Sequence, residues 1–193
     1  MLRKHILTLT FALLLTLPGC GREPSSATVH TEPTDLASTT VHPTVSSNPT
    51  APDSKIYKTF ELNGMRIRLP SYCKINTSHP TPGFECWHSG ILVTREPFTV
   101  HPDLSGMTLD EYGQTLIQMG GISAQLQRMD GITYFEYEVP VSDGAFYHYL
   151  VTLFKSETDF WIIEFICDSR EADMHRVEFM QWAKTIEFSK EKD

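Results

Sequence analysis

Three glutamates set in apolar surroundings, Glu136, Glu138 and Glu164, are the residues of this chain best suited by type to acid–base chemistry. Each falls inside a run of strand-forming residues. Two carboxylates brought within reach of one another would push one pKa up and support proton transfer or cation binding. The plainer expectation is that these glutamates mark places where strands reach solvent. Around them stand Tyr134, Tyr137, Tyr147, Tyr149, Phe146 and Trp161, rings able to form an amphipathic binding surface with little loss of side-chain freedom. The same rings also serve simply to fill a sheet, which favours aromatics.

Cys73 and Cys86 enclose a loop of about 14 residues, for which a disulfide would contribute roughly 3 kcal/mol through chain entropy. Cys167 is a third candidate, so the pairings 73–86, 73–167 and 86–167 and a fully reduced set all stay open. In its apolar run, Cys167 reads as a small buried residue and not as a nucleophile. His79, His88, His101, His148 and His175 lack the tight spacing of a metal site. No serine sits in a nucleophile elbow, and Gly120-Gly121 reads as a helix stop and not as a phosphate cradle. No cofactor and no metal is therefore expected.

The elements that must position these residues begin with Tyr57 to Leu62 and Met65 to Leu69, joined by Asn63-Gly64, the strongest two-residue hairpin signal. Pro70, Pro80, Pro82 and Gly83 then make a loop. Phe84 to His88 and Ile91 to Val100 read as strands broken by Ser89-Gly90, with Pro97 marking an edge or an early end. Thr108 and Glu111 form a capping box for a helix from Leu109 to about Met119, whose stripe is Leu109, Tyr112, Leu116 and Met119. Four β-rich runs follow with short, antiparallel connections: Ile122 to Met129, Ile132 to Val139, Ala145 to Phe154 and Phe160 to Asp168. The last is apolar at both parities apart from Glu164, which calls for cover on both faces. A final helix runs from about Arg170 to Ile186, with Met174, Val177, Met180, Ala183 and Ile186 as its expected stripe, widened by Phe179 and Trp182.

Ahead of this domain the chain changes character. Arg3 and Lys4 precede an apolar run from Ile6 to Leu17, too short for the roughly 20 residues of a spanning helix and suited to a signal peptide. It ends in Leu17-Pro18-Gly19-Cys20, which resembles the lipobox of bacterial lipoproteins, although Pro18 departs from the usual Ala or Ser. That resemblance implies cleavage after residue 19 and acylation of Cys20, with chains such as palmitate; two acyl chains hold a protein to a bilayer stably. From Gly21 to Ser54, five prolines punctuate a Ser/Thr tract almost free of large apolar residues. Such a tract cannot bury enough surface to order itself, so it reads as a disordered spacer spanning on the order of 30 to 35 Å. The expected organisation is a signal peptide over 1–19, acylated Cys20 and linker over 20–54, a globular domain over 55–189 and a tail over 190–193.

The domain's order of hairpin, strands, helix, long antiparallel run and terminal helix resembles the PsbP/Mog1/DcrB-like superfamily. The likeness rests on Gly64-Met65-Arg66-Ile67-Arg68-Leu69-Pro70, the Thr108 to Met119 helix, and a closing helix that runs into Thr185-Ile186-Glu187-Phe188. It implies an α+β fold, an antiparallel sheet of about six to seven strands flanked by helices on both faces (an α/β/α sandwich), acting mainly in binding or assembly and not as an enzyme.

Formal net charge is -8, and from Asp130 onward 14 carboxylates face six Lys and Arg. An acidic chain disfavours nucleic acid as a partner. The expectation is an extracytoplasmic lipoprotein, attached to a membrane through Cys20, whose partner is an envelope protein or a small ligand. The alternatives are a small hydrolase using Glu136, Glu138 or Glu164, and a spacer domain with no ligand at all.

Overall fold

The computed structural model describes residues 56–141 and 144–189, all within the unit Lys55–Asp193. The expected leader, Cys20, the linker and the tail lie outside the described residues. None of the described helices is long and apolar enough to cross a membrane.

Two tight turns begin and extend the fold where the sequence places them. Asn63 and Gly64 take positive φ values of 54° and 87° and join β1 (Tyr57–Leu62) to β2 (Met65–Pro70), with Leu62 opposite Met65. Asp130 and Gly131, at 51° and 84°, do the same for β6 (Gln127–Met129) and β7 (Ile132–Pro140). Residues that tolerate the left-handed region suit a two-residue turn whose twist matches the strands.

The remaining strands are β3 (Lys74–Asn76), β4 (Gly83–Cys86), β5 (Ser89–Pro97), β8 (Phe146–Lys155), β9 (Asp159–Asp168) and β10 (Glu187–Phe188). A seven-stranded antiparallel sheet runs β3-β4-β5-β9-β8-β7-β6. The opening hairpin does not extend it: β1, β2 and β10 form a separate three-stranded sheet. Met65, Ile67 and Leu69 are all fully buried on one side of β2, and Phe60 meets Phe84 edge-on at 5.6 Å. A strand with a single apolar side is satisfied by lying across a sheet, where joining its edge would leave that side exposed.

Two stretches end elsewhere than the sequence suggests. The turn between β4 and β5 is Trp87-His88, two residues before Ser89-Gly90, and Gly90 sits inside β5 opposite Glu85. Glycine here marks close approach between backbones: a Cβ on Gly83 would lie 1.9 Å from the Ile91 carbonyl oxygen. The run beginning at Ile122 pairs only over Gln127–Met129, while Leu126 instead packs over Gly113 of the helix α1 (Leu109–Met119).

α1 starts at a complete capping box. The Thr108 hydroxyl accepts a hydrogen bond from Glu111 N at 3.2 Å, and Thr108 N donates to the Glu111 carboxylate at 2.8 Å. Its Tyr112 stacks on Phe160 of β9 at 3.9 Å. After a 3-10 turn at Ser169–Glu171 comes α2 (Ala172–Ala183), whose Phe179 stacks on Phe165 at 5.2 Å. α1 thus meets an even-numbered residue of β9 and α2 an odd-numbered one, and successive strand residues point to opposite sides. The expected stripe of α2 holds in its second half only: Met180 and Ala183 are buried with Phe179 and Trp182, whereas Met174 and Val177 are 66% and 63% exposed and His175 is buried in their place. A strict three-residue step drifts by about 60° per step on a helix of 3.6 residues per turn, so it cannot hold one face.

Candidate functional site

Strand register decides which of the candidate residues can meet. Across β7, β8 and β9, Glu136 pairs with Leu150 and Leu150 with Phe165, so Glu136 and Glu138 lie on the α2 side with Phe165. Tyr137 pairs with Tyr149, and Tyr149 with Ile166, placing both tyrosines on the side that carries Glu164 and, further along, Phe160. The sheet therefore stands between Glu164 and the other two glutamates, and the carboxylate pair a hydrolase would need is not assembled from them. The expected single surface is likewise split, with Tyr137, Tyr147, Tyr149 and Glu164 on the α1 side and Tyr134, Trp161, Glu136 and Glu138 on the other.

On the α2 side the residues are tied down. Glu136, 10% exposed, accepts a 2.6 Å hydrogen bond from Arg176 of α2, and its carboxylate lies 2.9 Å from His148 Nε2, outside hydrogen-bond alignment. That contact fastens helix to sheet. Glu138 is exposed. Tyr134 is buried and donates its hydroxyl to Gln127 at 2.9 Å, and Trp161 is buried against Phe188 at 4.8 Å with the Arg95 guanidinium over its ring. Neither ring is available to a ligand.

On the α1 side the helix covers Phe160 and Leu153 but stops short of the far half of the sheet. There Tyr137 and Tyr149 stack at 4.9 Å and Tyr147 is 38% exposed, while Phe146, next to it in the strand, points to the opposite side. Glu164 lies on this half, half-buried, and accepts a hydrogen bond from the Tyr137 hydroxyl at 3.4 Å. Desolvation by the surrounding apolar strands pushes the Glu164 carboxyl up to about 7, against a smaller downward pull from the Tyr137 hydrogen bond. Burial first, and then the Glu164 charge, raise both Tyr137 and Tyr149 above the ordinary phenol range. This carboxyl is thus poised to change charge near neutral pH beneath aromatic rings.

Beside it runs a feature that the residue types alone did not single out. Gly83, Gly90 and Leu92, with Asn76, His79 and Thr81, line an open groove of about 160 Å³. Its Gly90 and Leu92 lie on the same side of the sheet as Glu164, since Gly90 pairs with Ile166 and Leu92 with Glu164. Two glycines inside paired strands were the available signal, because a strand without side chains leaves a trough.

Cys73 and Cys86 are joined in a disulfide with a Cα separation of 4.3 Å, which ties β4 to the residue just before β3. Cys167 is buried and free, its thiol pushed up to about 11 by burial and then by the charges of Glu171 and Asp168, so it stays protonated. Among the described residues no cluster of three His, Cys, Asp or Glu side chains forms a metal site.

No family model matches the chain, and no curated protein does either. Solved structures do. The solution structure of cyanobacterial PsbP (CyanoP) from Synechocystis sp. PCC 6803 is similar at 15% identity and a TM-score of 0.48, over 76% of this chain and 99% of that one. A crystal structure of a protein from Bacteroides thetaiotaomicron VPI-5482 is similar at 13% identity and a TM-score of 0.47, over 67% of this chain and 47% of that one. At such values neither likeness carries an activity, a ligand or a partner over to this chain.

Proposed function

We propose that this protein is a lipid-anchored, extracytoplasmic binding module. Acylated Cys20 attaches it to a membrane, residues 21–54 act as a spacer, and the domain captures an envelope protein or a small ligand on the open half of its seven-stranded sheet. We further read the domain as a PsbP/Mog1/DcrB-like sandwich with helices on both faces of the sheet. What supports the sandwich is the alternation on β9, where Phe160 meets α1 and Phe165 meets α2.

The observation that carries the functional reading is the uncovered sheet half itself. Tyr147 is exposed there beside the stacked Tyr137 and Tyr149. An exposed ring beside two stacked, half-buried ones, all on the side of an unpaired carboxylate, favours an interaction surface over a ligand-free spacer. The carboxylate pairing required for hydrolysis finds no support: Glu164 is on the opposite side of the sheet from Glu136 and Glu138, and of these two Glu136 is tied to Arg176 while Glu138 is exposed.

The test is capture from solubilised membranes by the full chain and by a Tyr147→Ser/Tyr149→Ser variant of unchanged circular dichroism. Recovery of a protein or ligand by the native chain, and its loss in the variant, is the expected result. Recovery of nothing, or equal recovery by both, would overturn the reading.

A further inference from the structure

We propose that Glu164, with Tyr137 and Tyr149, forms a binding site for an organic ammonium group, an inference that rests on the open aromatic half being a ligand surface. Glu164 lacks a close partner. Its cross-strand neighbours, Leu92 on β5 and Val151 on β8, are apolar, and its hydrogen bond from Tyr137 is 3.4 Å long, well beyond the roughly 2.7 Å of a good O–H···O contact. Among the described residues no Lys, Arg or His pairs with it. Of the other charged groups on this side of the sheet, Asp168 is engaged with Arg170, Glu96 with the Tyr112 hydroxyl, and Lys155 with the carbonyls of Ser105 and Met107, while Lys74 and Glu85 lie exposed opposite each other on β3 and β4, away from Glu164. A desolvated carboxylate with free acceptor capacity is unfavourable as an anion until a cation arrives.

The surroundings select the kind of cation. Calcium takes six to eight oxygens, magnesium six and zinc usually four ligands, and one carboxylate beside phenols does not supply them. Stacked phenol rings do attract an organic cation through their negative faces, and the carboxylate adds a directional, charge-assisted contact. The groove along Gly90 and Leu92 gives an attached alkyl chain somewhere to lie. An anion would meet Glu164 with the same sign of charge, and a neutral ligand would leave the carboxylate without a counter-ion. The site therefore suits an alkylammonium, either as a free amine or as a lysine side chain.

Binding has a proton balance. The ligand ammonium keeps its protons, and Glu164, largely protonated below neutral pH, releases its own to solvent as it ionises against the cation. The titrating or polar groups that face it are Tyr137 from β7 and Tyr149 from β8; β5 contributes only Leu92 and Thr94 nearby.

The experiment is isothermal titration calorimetry of the full chain in detergent at pH 6. The probes are n-butylammonium chloride and an N-acetyl-lysine amide, with 1-butanol as the neutral control, each in two buffers of different ionisation enthalpy. Expected is saturable binding of an ammonium probe with release approaching one proton. Glu164→Gln should weaken it by about tenfold or more and abolish proton release, while Glu138→Gln, on the opposite side of the sheet, binds normally. The tighter of the two probes identifies free amine or lysine as the source. Equal binding by Glu164→Gln, equal binding of 1-butanol, or no binding of either ammonium probe overturns the proposal. Should tyrosine-dependent capture from membranes persist in that last case, the ammonium site fails and the binding-surface reading stands; loss of both fails both.

Discussion

Two carboxylates on β9 show how one strand sets opposite acidities. Asp159 is buried, which raises its pKa, but hydrogen bonds from Arg95 and Thr158 and the Arg95 charge outweigh that and hold it below the ordinary range. Glu164 has no such cation and is pushed up to about 7. The raised value has a definite sign for stability. Below pH 4.5 both folded and unfolded chains carry the proton; between 4.5 and 7 only the folded chain does, so this group's contribution to stability is lost as pH rises through that window and stays lost above it. Glu164→Gln removes the titration. Its stability relative to the native chain should therefore climb from pH 4 to pH 8, by up to roughly 3 kcal/mol, as read from urea unfolding at each pH. A difference that does not change with pH would mean that the carboxyl is ordinary. Glu164 was visible in the sequence as the one charge in an apolar run. Which glutamates share its side was not, because a slip of one residue in either of the two pairings from β7 through β8 to β9 moves every side chain to the other face.

Elements were more legible than pairings wherever a local signal with its own geometry was present. Asn63-Gly64, Asp130-Gly131 and the Thr108 to Glu111 box each specify backbone shape within four residues, and each is found in place. The buried face of α2 depends instead on what the helix lies against. Met174 and Val177 are apolar but point away from the sheet, while a histidine, His175, occupies the inner face and stacks on Phe179 at 5.3 Å. Phe179→Ala should accordingly cost about 3 to 5 kcal/mol through loss of a fully buried ring that touches Phe165 and Trp182. Val177→Ala should stay within about 0.5 kcal/mol. Equal losses in denaturant titrations of the two variants would restore the three-residue stripe. The edge strand β3 has no hydrophobic alternation in its three residues and so leaves no mark in the sequence; it pairs with β4 next to the Cys73–Cys86 bridge, a long-range constraint that spacing alone leaves open.

For the whole molecule, the disulfide and the proposed lipid anchor make statements about the same compartment by independent chemistry. A bridge between Cys73 and Cys86 persists where thiols are not continually reduced, and acylation of Cys20 takes place on a chain delivered to the membrane. The two can be separated. Cys20→Ser leaves the apolar leader run Ile6 to Leu17 intact, so export should continue while the thiol that would accept lipid is gone. In cells fed a fatty-acid analogue, the native chain should carry label and fractionate with membranes. Its Cys73 and Cys86 should react with a maleimide-linked polymer only after reduction and denaturation, and buried Cys167 after denaturation alone. The Cys20→Ser chain should lose the label yet keep the same pattern of protected thiols. An unlabelled native chain would remove the anchor. A native chain whose Cys73 and Cys86 react without reductant would place the domain on the reducing side, and with it would fall any ligand surface facing the envelope.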